Sequence, residues 1–163
     1  MKFNELAEPF YQIALQYCNW CENFGSNVAQ LAFEPFISLV ASTFYNAVLL
    51  QPSEAADPII EREARLKATL LSDQLNFSSL PFGFYRDLFD DSPESEELPT
   101  LGDIQDDLKD IYTELKTGIF MWEMGFCSQA ENQWAFSFRV HWGRHAVCAL
   151  KAMFPRLTTS RFL

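Results

Sequence analysis

Cations are scarce in this chain: 12 lysines and arginines stand against 22 acids in 163 residues, a formal net charge of −10. That balance excludes a duplex-binding footprint, which needs clustered bases to neutralise phosphates, and it repels an anionic membrane surface. Six glycines and eight prolines are too few for a linker-like or collagen-like chain. No apolar stretch reaches the roughly 18 uninterrupted residues of a membrane span; the longest, Phe36 to Leu50, is broken by Ser38, Ser42, Thr43 and Asn46. Met1-Lys2-Phe3-Asn4-Glu5 opens without an apolar core and predicts no secretory signal. Cys18, Cys21, Cys127 and Cys148 then read as reduced thiols, and the protein as soluble and cytoplasmic with no membrane or nucleic-acid partner. There is no Gly-rich phosphate loop and no nucleophile elbow. Cys18-Asn19-Trp20-Cys21 lacks the second pair that a zinc ribbon needs, so both thiols read as helix core.

What the chain has is apolar surface, with 48% hydrophobic residues and 16 phenylalanines. The length fits one domain with a sizeable core. Its periodicity is helical nearly throughout, with no sustained strand alternation. Phe10, Ile13, Ala14, Tyr17, Cys18, Cys21 and Phe24 define a first helix that Pro9 starts and Gly25 ends. Ser26 caps a second, running towards Leu50, which Pro35 is expected to kink or split. Asp57-Pro58 opens a third through about Leu75, with Ile59, Ile60, Leu66, Leu70 and Leu71 as its buried face. Phe82 to Phe89 reads as a short helical turn, and residues 90–99 as a mobile acidic loop. Thr100 precedes a fourth helix carrying Leu101, Ile104, Leu108, Ile111, Leu115, Ile119 and Trp122 on one face and ending at Gly125. Ser128-Gln129-Ala130-Glu131 has the capping-box pattern for a fifth helix reaching Phe154 before Pro155. The expected fold is an all-α, single-domain bundle of about five helices.

Charge is concentrated in one place. Between Asp87 and Glu114 there are eleven acids and one base, Lys109, so this window alone accounts for −10. On the fourth helix Asp103, Asp107, Asp110 and Glu114 fall within about 40° of one another, with Asp106 at the margin. Like charges one turn apart are locally unfavourable; a bound cation or a basic partner would relieve them. The fifth helix is apolar nearly all round: Trp134, Phe138, Trp142 and Ala149 make one stripe, and Phe136, Val140, Val147, Leu150 and Phe154 the opposite one. That pattern places it in the bundle interior.

His141 and His145 lie one turn apart on this helix, a spacing at which two imidazoles can share a metal ion. Gly143 between them implies a close helix crossing or a bound group. If the last two helices form a simple antiparallel hairpin about Phe126, Asp107 sits level with His145 and Asp110 level with His141. Arg144, at that same level, is expected to pair with Asp106 or Asp107.

From Gly102 onward the residues resemble a bacterial family classed only as a domain of unknown function (number 5063). The resembling residues are Gly102, Asp106-Asp107-Leu108, Asp110-Ile111-Tyr112, Leu115-Lys116 and Gly118, then Trp134, Phe136, Phe138, His141-Trp142-Gly143 and His145-Ala146; Tyr85, Phe89 and Asp90 resemble its upstream aromatic-acid segment. The resemblance covers the C-terminal half. It implies that the acidic helix and the histidine helix form one unit, and it brings no activity with it.

Two functions are compatible with these features. The first is a non-enzymatic binding or regulatory module, monomer or homodimer, that presents Asp90, Asp91, Glu94, Glu96 and Glu97 to a basic protein partner. The second is a hydrolase of phosphate esters or nucleotides, with Asp106, Asp107, Asp110 and Glu114 holding Mg²⁺, Mn²⁺ or Zn²⁺ and His141 or His145 as ligand or catalytic base.

Overall fold

Asp57 is extended, and its carboxylate accepts the Ile59 amide at 2.8 Å, so Pro58 enters the first turn of a helix where no amide donor is needed. In the computed structural model, which describes residues 6–24, 33–52, 57–80, 83–88 and 92–159, this helix is the third of the chain. Helices α1 (Ala7–Glu22), α2 (Phe33–Leu49) and α3 (Pro58–Ser72) are followed by strands β1 (Phe84–Asp87) and β2 (Thr100–Asp103), and then by α4 (Ile104–Glu123). The last rod is compound: α5 (Cys127–Ser137), a π-helical turn over Phe138–Trp142, and α6 (Gly143–Thr159). The fold is mainly helical with one small sheet, and among the described residues no helix is long and apolar enough to cross a membrane.

Helix α4 is the central element, packed against α1, α3, α5 and α6, while α2 covers α1 and α6. Phe10, Tyr17, Ile104, Leu108, Ile111, Leu115, Trp134 and Trp142 are fully or almost fully buried in one core. Two of its polar atoms bond to α4 backbone: Tyr17 OH donates to the Leu108 carbonyl at 3.1 Å, and Trp134 Nε1 to that of Leu115 at 3.1 Å. The chain reverses after α4 at Gly125, whose φ of +91° is natural for glycine. There the Phe126 amide donates to Met121 and the Gly125 amide to Trp122, a Schellman closure. Cys18 and Cys21 are buried in α1, where burial pushes both thiols up and away from reactivity.

Several local expectations are corrected. Pro35 stands in the first turn of α2, where a proline neither kinks nor splits a helix; Gly25 and Ser26 lie outside the described residues. In α3 the fully buried positions are Ala64, Ala68 and Ser72, because small residues allow close approach to α4; of the expected buried face Ile60 and Leu71 are half-buried against the core, while Ile59, Leu66 and Leu70 are exposed. Residues 84–87 and 100–103 form an antiparallel pair, Phe84 opposite Asp103 and Tyr85 opposite Gly102, in place of a helical turn and the start of α4. Neither Phe84-Tyr85-Arg86-Asp87 nor Thr100-Leu101-Gly102-Asp103 alternates apolar with polar residues, so the pair leaves no strand signal in the sequence. Leu101 therefore belongs to β2 and is exposed.

Phe126, not Ser128, precedes the first turn of α5. The last rod is not buried all round either: Phe136, Val140, Val147 and Phe154 are exposed, and Pro155 continues α6 where a stop was expected.

Candidate metal centre

The Asp103 carboxylate accepts the Gln105 amide at 2.9 Å and caps α4, so it belongs to the helix start and not to an acidic helix face. Capping sets the phase of the acids that follow. Asp106 is exposed, Asp110 half-buried, and Asp107 and Glu114 only 5% and 4% exposed. Burying carboxylates is unfavourable unless they are paired and hydrogen-bonded. Both are.

Glu114 accepts from both terminal nitrogens of Arg65 on α3, at 2.6 and 2.9 Å, and from Gln133 Nε2 on α5 at 2.9 Å; its Oε1 lies 3.1 Å from His141 Nδ1. Asp107 accepts from the Tyr85 hydroxyl at 2.5 Å, and its other oxygen lies 2.8 Å from His145 Nδ1. Burial, reinforced by the Asp107 hydrogen bond, pushes the Tyr85 phenol up, so the hydroxyl keeps its proton and donates.

A carboxylate can only accept. Each Nδ1 therefore donates to its carboxylate, and each Nε2 is turned to the other side of its ring, where by the same rule a proton on His145 Nε2 faces Asp110 until an ion displaces it. Asp110 stands there, its Oδ2 3.2 Å from His145 Nε2 and 4.0 Å from His141 Nε2. One ligand atom from each of Asp110, His141 and His145 lies within 4.8 Å of the others, and the two rings are 5.0 Å apart at 76°. The arrangement has the form of metal-site chemistry: two imidazoles and one carboxylate converge, and each imidazole is held from behind by a carboxylate that fixes its tautomer.

The π-helical turn contributes His141, and Gly143 makes the turn possible. A Cβ on Gly143 would overlap the Phe138 carbonyl oxygen of its own rod, so the close neighbour expected at this glycine is the preceding turn rather than a second helix. Such insertions re-aim side chains and recur at functional sites.

The structure thus brings Asp110, His141 and His145 together and sets Asp107 and Glu114 behind the imidazoles. Asp106 lines a cavity of about 330 Å³ between the β-hairpin and the starts of α4 and α6, along with Tyr85, Asp107, Arg144 and His145. The Arg144 pairing is corrected: it reaches Asp87 on β1 at 3.2 Å, where Asp106 or Asp107 was expected. Lys151 and the Cys148 thiol meet the same carboxylate at 3.2 and 3.3 Å. Burial alone would raise Asp87, yet these three hydrogen bonds hold its carboxyl below the usual range. A second cavity, about 220 Å³, is lined by Arg65, Glu114, Gln133, Val140 and His141. Neither of these cavities includes Asp110. Glu94 and Glu96 are exposed on the loop between the strands, Glu97 is half-buried, and Asp90 and Asp91 lie outside the described residues.

Arg65, Gln133, Tyr85 and Asp87 all hold site residues in place, yet none was singled out for such a role by spacing. Arg65 and Gln133 are ordinary helix residues until α3 and α5 are packed on α4. Only the resemblance of the segment around Tyr85 drew attention to that side chain.

The electrostatics give a definite pH dependence. The Asp107 hydrogen bond raises His145 above the ordinary imidazole value, against burial and with help from Asp110; burial raises Asp110. Both folded-state values therefore exceed their unfolded ones. The stability each contributes is complete below the unfolded value, about 4 for the carboxyl and about 6.5 for the imidazole, and is lost as pH rises through the folded value. Metal-free protein is expected to lose this contribution progressively from mildly acidic to neutral pH and above. Urea melts at graded pH should show a flatter upper limb for His145→Gln, and an unaltered limb would refute the assignment.

A family model described as a domain of unknown function (DUF5063) matches residues 1–155, so the similarity extends through α1, α2 and α3 and is not confined to the C-terminal half. No curated protein and no solved structure matches the chain significantly.

Proposed function

The chain belongs to the DUF5063 family, and we propose that it binds one divalent transition-metal ion between α4 and α6, through Asp110, His141 and His145. The observation that carries this reading is the orientation of the two imidazoles. Each has its Nδ1 committed to a buried carboxylate, which leaves both Nε2 atoms facing Asp110. Buttressing of this kind makes the imidazoles better ligands and holds them in place before the ion arrives.

Two imidazoles with one carboxylate suit Zn²⁺, Fe²⁺ or Mn²⁺ and not Mg²⁺, which prefers oxygen ligands in octahedral array. Three protein ligands leave coordination positions for water or an added ligand, where a bound ion supplies a Lewis acid. Asp110 and His141 are partly open to solvent, and Asp110 lines neither of the flanking cavities. That openness favours a metal-dependent binding role over phosphate-ester hydrolysis in an enclosed pocket.

Elemental analysis of protein purified without chelator is expected to find about one equivalent of metal. At 100 times the dissociation constant, free Zn²⁺ would add about 2.7 kcal/mol to the folded state. For a chain of this length that raises the Tm by roughly 5–10 °C; Mg²⁺ is expected to give no shift. No retained metal, together with no shift at millimolar Zn²⁺ or Mn²⁺, would overturn the proposal.

A further inference from the structure

We propose that Tyr85 is a positioning residue of this centre, acting on the bound ion through Asp107 and His145, and that the β-hairpin is thereby part of the metal site. The inference rests on the metal-binding reading. It starts from a continuous chain of polar contacts: Tyr85 OH to Asp107 Oδ2 at 2.5 Å, Asp107 Oδ1 to His145 Nδ1 at 2.8 Å, and His145 Nε2 to Asp110 Oδ2 at 3.2 Å. Asp107 is buried on α4, and a carboxylate with one oxygen unbonded could rotate away from the imidazole. Tyr85 holds that second oxygen, and so fixes the plane in which the first accepts from His145.

The hairpin is built to deliver this hydroxyl. Tyr85 pairs with Gly102 across the two strands, and a Cβ on Gly102 would overlap the Tyr85 ring and its oxygen. Glycine opposite Tyr85 lets the phenol lie across the partner strand and reach α4. The Ile104 amide donates to the Gly83 carbonyl at 2.9 Å, tying the hairpin to the start of the helix that carries Asp107 and Asp110. The same ring lines the cavity beside His145. His141 is held differently, by Glu114 with Arg65 and Gln133 from α3 and α5. The two imidazoles therefore answer to different parts of the fold, and Tyr85 should influence only one.

The test is a mutant cycle read by Co²⁺ titration, with the dissociation constant and the visible spectrum of the loaded protein as readouts. Tyr85→Phe keeps the ring on Gly102 and removes one hydroxyl. It is expected to weaken Co²⁺ binding about tenfold, within the range for loss of a partner behind a metal ligand, and to change the ligand-field bands. In an Asp107→Asn background the same substitution should have little further effect, because Tyr85 acts through Asp107. Equal losses in both backgrounds, or an unchanged constant and spectrum in Tyr85→Phe, would overturn the role of Tyr85 and leave the metal site standing. Wild-type protein that takes up no Co²⁺ would instead remove the metal reading and this inference together. Melting of the metal-free variants separates folding from binding: a lower Tm with unchanged Co²⁺ affinity is a packing effect, and also counts against the proposal.

Discussion

Gly118→Ala is expected to destabilise the protein by about 2 kcal/mol, although the substitution raises helix propensity. On a solvent-facing helix surface, replacing glycine with alanine gains about 1 kcal/mol. Here a Cβ would overlap the Trp134 indole at Nε1, Cε2 and Cδ1. The indole is fully buried, lies edge-on to Phe10 at 5.1 Å and stacks near Trp122 at 5.9 Å, so it has little room to retreat. Its Nε1 proton goes to the Leu115 carbonyl, three residues before Gly118 on the same helix, and any retreat stretches that bond. Overpacking of this type costs roughly 1–3 kcal/mol, and a strained buried hydrogen bond adds about 1 kcal/mol, which together exceed the propensity gain. Urea unfolding followed by tryptophan fluorescence gives the sign directly. A stabilised variant would show that α4 and α5 are not in contact here.

Asp110→Ala is expected to abolish retained metal and to lower Zn²⁺ affinity at least 100-fold, since losing a ligand outweighs losing a partner behind one, for which roughly 10–100-fold is typical. Metal-free stability should respond in the opposite direction or not at all. Burial raises the Asp110 carboxyl, so its charged form is held at some cost near neutral pH. Removing it relieves repulsion from Asp106 and Asp107 on the same helix, while forgoing attraction to two imidazoles. Isothermal titration with Zn²⁺ and thermal melting with chelator present separate these effects. The combination of intact folding and lost binding marks a site maintained for the ion. Wild-type affinity in this variant would remove Asp110 from the ligand set. With Zn²⁺ bound, the pH trend of the cluster should also reverse, because ligands must shed protons to bind metal.

How much of this was readable from the chain differs element by element. The caps at Asp57 and Gly125 were legible because each is a local contact between neighbours in sequence. Counting outward from Phe126 placed Asp107 level with His145, and they are hydrogen-bonded at 2.8 Å. What spacing could not give was direction. The acidic face of α4 has the pattern of a solvated surface, yet Asp107 and Glu114 are buried because Arg65, Tyr85 and the two histidines approach from α3, β1 and the last rod to pair with them. The same ambiguity rotated the reading of α3, where Ile59, Leu66 and Leu70 stayed outside, Ile60 and Leu71 are half-buried, and the alanines went in.

The sequence alone settled the helical character, the point of chain reversal and the height of the acids against the imidazoles, because backbone hydrogen bonding and a 3.6-residue period are properties of neighbouring residues. Only the tertiary structure decided which faces are covered, that a four-residue strand pair carries Tyr85 into reach of Asp107, and that the π-helical turn sets His141 where it stands. Those outcomes depend on contacts between residues far apart in sequence: whether a carboxylate is buried is determined by the cations and donors that other elements bring to it.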